Sequence, residues 1–137
     1  MKSVLFALVA LLLATTACTA QDTTTPEAVR LRATTRRERQ ADGTWGADMP
    51  CSGVFVFKVS NDTFVYRWKD IVFSWYVTKI VNTGKDSKGH QGYRLEMVNA
   101  TGDPTSARIR VMKENSRQIY LSDGNGREAI CFETELL

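Results

Sequence analysis

From residue 53 to the C-terminus the chain repeats one unit: a short run of alternating apolar and polar residues, then a turn. GVFVFKV (residues 53–59), TFVYRW (63–68) and IVFSWYVTKIV (71–81) follow one another with only Ser60-Asn61-Asp62 and Lys69-Asp70 between them. GYRLEMV, SARIRVM, QIYLS and EAICFET continue the pattern to the end, punctuated by NATGDPT, KENSR and DGNG. A period of two places Phe55, Phe57 and Val59 on one face, then Phe64, Tyr66 and Trp68, then Ile71, Phe73, Trp75 and Val77. Lys58, Arg67, Arg94, Glu96, Arg108 and Arg110 take the opposite faces. Runs this short, rich in β-branched and aromatic residues and joined by tight turns, leave no room for crossover helices. The expected fold is all-β: a small antiparallel meander of about seven or eight strands, closed or nearly closed into a barrel, with a β-sandwich as the alternative.

The N-terminus has a different character. Lys2 is followed by an almost wholly apolar run, Val4 to Ala14, and then by small polar residues. The run is too short to span a bilayer comfortably and has the three-part form of an export signal. TTAC, Thr15 to Cys18, resembles the lipobox of bacterial lipoproteins, in which the Cys is acylated and becomes the first mature residue. That resemblance implies a signal peptide over 1–17, a lipidated Cys18 and a membrane partner reached through the anchor. Cleavage after Ala20 is the alternative, giving a signal over 1–20 and a soluble periplasmic or secreted product. Either way the protein is expected to be exported, as an outer-membrane or cell-surface lipoprotein on the first route.

Residues 18–42 read as a polar, Arg-rich tether or an edge strand. TTPE carries helix-start signals, but Val29, Leu31 and Ala33 alternate with Arg30, Arg32 and Thr34 at a strand period. The β-domain is expected over 43–137. The formal net charge is +3, and five Arg with one Glu fall within residues 30–39 alone. From Gly43 onward twelve Lys and Arg face eleven Asp and Glu. A nucleic-acid binder should carry its basic footprint on the folded domain, so no nucleic-acid partner is expected. The basic arm reads as a solvated linker or as a segment drawn to anionic headgroups.

Both processing routes remove or consume Cys18 and leave two thiols, Cys51 and Cys131. In an oxidising compartment two remaining cysteines are expected to pair. A Cys51–Cys131 disulfide would close a long loop, and the chain-entropy relation gives it about 4 kcal/mol. Two isolated cysteines and one histidine make a poor zinc set, so no metal or other cofactor is expected.

No constellation of catalytic type stands out, and the expectation is a protein that is not an enzyme. His90 lies in a Gly/Lys loop without an evident nucleophile partner. NTGKDS lacks the frame of a phosphate loop. DGNGREAI has some acidic and amide ligands of a calcium loop, but Arg127 falls at a ligand position, so a hairpin turn is the better reading. Asn61 and Asn99 open N-x-T sequons at turns, where Asn and Thr are ordinary turn residues. The inward aromatic set is more informative. It either fills a core or lines an apolar pocket, and Phe57, Tyr66, Trp68 and Trp75 are the candidate pocket residues, the tyrosine and tryptophans adding a polar handle.

Gly43-Thr44-Trp45 resembles the G-x-W that opens the first strand of lipocalins, and a lipobox, short tether, G-x-W and β meander together resemble bacterial lipocalin-like lipoproteins. The resemblance covers 43–137 and implies a ligand-binding barrel, with an Arg near the last strand packed on the Trp; Arg127 is the candidate by position. The short body implies a small cavity. The expected function is therefore non-catalytic binding in the cell envelope, of a small apolar ligand or of another envelope protein. The alternative is a secreted protein inhibitor or interaction module acting through exposed loops, chiefly TGKDSKGHQG.

Overall fold

Eight strands in a computed structural model, which describes residues 28–137, run up and down in sequence order and close on themselves. They are β1 (Ala28–Glu38), β2 (Met49–Lys58), β3 (Thr63–Trp68), β4 (Ile71–Lys85), β5 (Gln91–Asn99), β6 (Pro104–Lys113), β7 (Ser116–Ser122) and β8 (Glu128–Leu136). Every neighbouring pair is antiparallel. The all-β barrel expected from the strand rhythm is the architecture; the sandwich is not. The signal segment, Cys18 and the first part of the tether lie outside the described residues.

Three of the hairpins turn on one chemical device. Asp86, Asn99 and Asp123 each use Oδ1 to accept the backbone N–H groups two and four residues on: Lys88 and His90, Thr101 and Asp103, Asn125 and Arg127, all at 2.9–3.0 Å. The third residue on is Gly89, Gly102 or Gly126, each with φ between +82° and +87°. A side-chain acceptor followed by a left-handed glycine closes the loop without leaving backbone donors unsatisfied. Asn99 and Asp123 are thereby turn residues, as the sequence reading has them.

Two expectations are corrected. The Arg-rich segment is neither tether nor edge over Ala28–Glu38. It is β1, paired with β2 on one side and β8 on the other, and it completes the barrel. Its period-two pattern buries Val29, Leu31 and Ala33. The domain therefore includes residues from Ala28, not from Gly43. The disulfide is absent: Cys51 and Cys131 are free thiols. The missed strand is the reason. β1 lies between the two cysteine-bearing strands, so their backbones stand two interstrand spacings apart, about 9–10 Å, beyond the ~4.4–6.8 Å Cα separation of a disulfide. The side chains also face opposite ways. Cys51 packs against the interior cluster. Phe132 points inward onto Phe55 and Tyr66, so its neighbour Cys131 points outward, where it accepts from Arg37 Nη2 at 3.4 Å.

The interior is filled at one end and open at the other. At the filled end Leu31, Phe55, Phe57, Phe64, Leu95 and Ile109 are fully buried. Arg117 is buried there too, its Nη1 donating to the carbonyls of Lys113, Glu114 and Ser116 in the β6–β7 hairpin. Desolvation pushes its guanidinium below the usual arginine range.

Candidate functional site

The open end holds a cavity of about 440 Å³. One wall is aromatic and comes from two adjacent strands. The β3–β4 register sets Phe64 opposite Trp75, Tyr66 opposite Phe73 and Trp68 opposite Ile71, so each pair shares the inner face. The rings form a stepped stack: Phe64 to Trp75 at 5.4 Å, Trp75 to Phe73 at 6.1 Å, Phe73 to Tyr66 at 6.3 Å. Phe132 closes the base against Tyr66 at 5.1 Å. The facing wall, from β6 to β8, carries Thr105, Ser106, Leu121 and Ile130. Large rings on one side and small or aliphatic side chains on the other leave the space that the filled end lacks. Gly53 contributes to it: a Cβ there would stand 2.7 Å from Tyr66 Cε2, so only glycine lets that ring lie flat against β2.

The rim is apolar as well. Ile71, Val72 and Phe73 are each about half exposed at the start of β4. Lys69, which turns the β3–β4 hairpin at φ +54°, places its Nζ 4.8 Å from the Trp68 ring centroid, within cation–π range.

One charged side chain of β1 belongs to the cavity. The β1 register shifts between Ala33 and Thr35. Before the shift odd-numbered residues face inward; after it Arg36 pairs with inward-facing Phe132, and Arg37 with outward-facing Cys131. The bulge thus turns Arg36 toward the lumen, where it lines the cavity. Arg36 Nη2 lies 3.5 Å from Glu38 Oε1, with both side chains well exposed. A pair of that kind is worth about 0–1 kcal/mol and does not commit the guanidinium. A second groove of about 430 Å³ adjoins the cavity, sharing Arg36, Tyr66 and Trp68 with it and adding Cys51, Ser52 and Lys69. Burial pushes the Tyr66 hydroxyl and the Cys51 thiol upward, and nearby Arg36 draws both back toward the ionised form.

Of the four candidate pocket residues, Tyr66, Trp68 and Trp75 line the cavity. Phe57 does not. It is fully buried at the filled end, stacked on Phe64 with centroids 4.4 Å apart. Phe73 lines it, as the alternation along IVFSWYV implies. Arg36 is the residue that sequence reasoning missed, because strict alternation from Val29 would send it outward.

His90 sits beside Asp86 and Arg110 on the outer face, 3.6 Å from Asp86 Oδ2. Arg110 bonds Asp86, and Gln118 at 2.9 Å, so the cluster is a structural clamp on the β4–β5 turn without a nucleophile in it. Only residues 86–90 of the proposed inhibitor loop are turn; the rest belongs to β4 and β5. Among the described residues no cluster of His, Cys, Asp and Glu has the make-up of a metal site. Gly43-Thr44-Trp45 lies in the β1–β2 connection and opens no strand; Trp45 bridges to Arg39 alone. The guanidinium over its ring is that of Arg39, at 4.9 Å, while Arg127 Nη2 reaches the Gln40 carbonyl at 3.5 Å. Trp45 also meets Tyr120 edge-on at 5.8 Å, strapping the connection across the outside of β7. Comparison of the chain with protein-family models, with curated proteins and with solved structures finds no match.

Proposed function

We propose that this is a non-catalytic binding protein of the cell envelope, exported and held at a membrane by acylated Cys18, which takes a small apolar ligand into the open end of its barrel. The observation that carries the reading is the aromatic-walled cavity of about 440 Å³ built on β3 and β4. Its size falls within the ~300–1,000 Å³ of small-molecule sites, and its lining is the expected one: mostly apolar, with few polar groups at the edge. The amino-terminal signal and TTAC motif support the envelope location. No catalytic role enters the proposal.

Nile red, a neutral apolar fluorophore, tests the pocket. Wild-type protein should bind it with a blue-shifted emission. Burying one aromatic side chain against a ligand is worth about 1.5–3 kcal/mol, so Trp75→Ala should weaken binding by about tenfold or more. A folded wild-type protein that leaves the dye in water removes the ligand reading. The exposed Ile71-Val72-Phe73 rim would then favour the second reading, an interaction module that docks another envelope protein on its hairpin tip.

A further inference from the structure

We infer that the ligand is a single-tailed amphiphile with a small anionic head, its tail in the aromatic cavity and its head in the adjoining groove between Arg36 and Lys69. The inference rests on the apolar-pocket reading and adds the head-group chemistry to it. Three observations converge.

The two spaces adjoin, with Arg36, Tyr66 and Trp68 in the lining of both. Their chemistry differs. The cavity is walled mostly by rings and aliphatic side chains, whereas the groove adds Ser52, Cys51 and Lys69. The groove has two cationic side chains in its lining and no acidic one. A ligand spanning both must be apolar at one end and complementary to positive charge at the other.

The acidic groups nearby do not cancel this. Glu38 meets Arg36 at 3.5 Å in an exposed pair, which an incoming anion can displace at small cost. Asp123 lines the cavity but not the groove, and its Oδ1 accepts the N–H groups of Asn125 and Arg127. Asp70 follows Lys69 in the hairpin but is not part of the groove lining.

Finally, Arg36 reaches the lumen only because β1 carries a bulge at Ala33/Thr35. Bulges re-aim side chains next to binding sites. There the guanidinium sits at the cavity mouth, still solvent-accessible and held only by an exposed ion pair, so it is open to an anion. The anionic head meets it at the point where tail and head would divide.

The test is displacement of Nile red from the full chain, below the micellar range, by laurate, lauryl phosphate and lauryl alcohol. These share one tail, so their ratios isolate the head. At least one anion should displace the dye about tenfold more tightly than the alcohol, and the better anion identifies a carboxylate or a phosphate head. In Arg36→Gln combined with Lys69→Gln the ratio should fall to about one, and Arg36→Lys should retain most of it. A cooperative unfolding transition shows that each variant is folded. Equal displacement by alcohol and anions in the wild type overturns the head-group assignment and leaves the apolar pocket standing. An undiminished ratio in the double variant overturns the role of Arg36 and Lys69. Failure of the wild type to bind Nile red overturns the pocket reading and this one together.

Discussion

Asp86 shows how much one side chain does at a turn. Its carboxylate accepts the backbone N–H of His90, bonds Arg110 from β6, and accepts the N–H of Lys88. Those contacts, His90's first, hold its pKa at about 2 against an ordinary 3.8. A carboxylate depressed on folding contributes stability above its unfolded pKa and loses it as pH falls through the folded value. Asp86→Asn should therefore lower the urea midpoint at neutral pH. The gap between the two proteins should narrow below about pH 5 and close only near pH 1, below both the unfolded and the folded value. Urea titrations across that range check this; a constant gap would place the effect elsewhere. Arg36 makes a related point about position. Its type was visible in the chain, but its direction depended on one extra residue in a ladder two positions away.

At the scale of the element, β2, β3 and β4 carry aromatic residues for two different purposes. Phe57 and Phe64 lie at the filled end, where every neighbour packs. Trp75 and Phe73 continue the same stack into the open end. Phe57→Ala should cost about 3–5 kcal/mol, through lost burial and the void that remains. Trp75→Ala, whose ring is only partly buried, should cost no more than about 2 kcal/mol. Urea midpoints on the two variants measure the difference. Equal and large losses would mean that the open end packs as solidly as the other. The outer faces hold elements together differently. Arg108 on β6 stacks over the Tyr120 ring of β7 at 3.9 Å and forks onto Glu128 of β8 at 2.6 and 2.9 Å. Three strands are thereby tied by one side chain.

Closure is the property of the whole molecule on which the site depends. β1 occupies the gap between β2 and β8, so the described barrel exposes no free edge. A chain that begins at Gly43 keeps seven strands and the whole aromatic wall, but leaves β2 and β8 with unpaired backbone groups. It should lose cooperative unfolding and associate through those edges, whereas a chain that begins at Ala28 should unfold cooperatively as a monomer. Thermal unfolding and size-exclusion chromatography of the two separate these outcomes. The same seven-strand body would lose Arg36 and the β1 partner of Phe132, so a cavity without β1 lacks its cation and has a floor held from one side only.

The strand rhythm, the turns and the inner face of most strands were written in local sequence. Alternation and turn chemistry act over a few residues, and Asp86, Asn99 and Asp123 close their hairpins with atoms at most four residues away. So the all-β meander, the inward aromatic rows and most of the pocket wall could be read directly. Local pattern could not say which segment fills the gap in a closed sheet. Val29, Leu31 and Ala33 alternate like any strand, yet the arginines between them look like a solvated arm until β8 is placed beside them. That strand then decides three things at once. It keeps Cys51 and Cys131 apart, on opposite faces of the wall. It brings Arg36 to the mouth through a bulge that no period-two reading anticipates. With the register of β3 against β4, it also settles which aromatics pack and which line open space. Side-chain type is a property of the chain, whereas the separation of facing walls is set only when every strand of a closed barrel is in register.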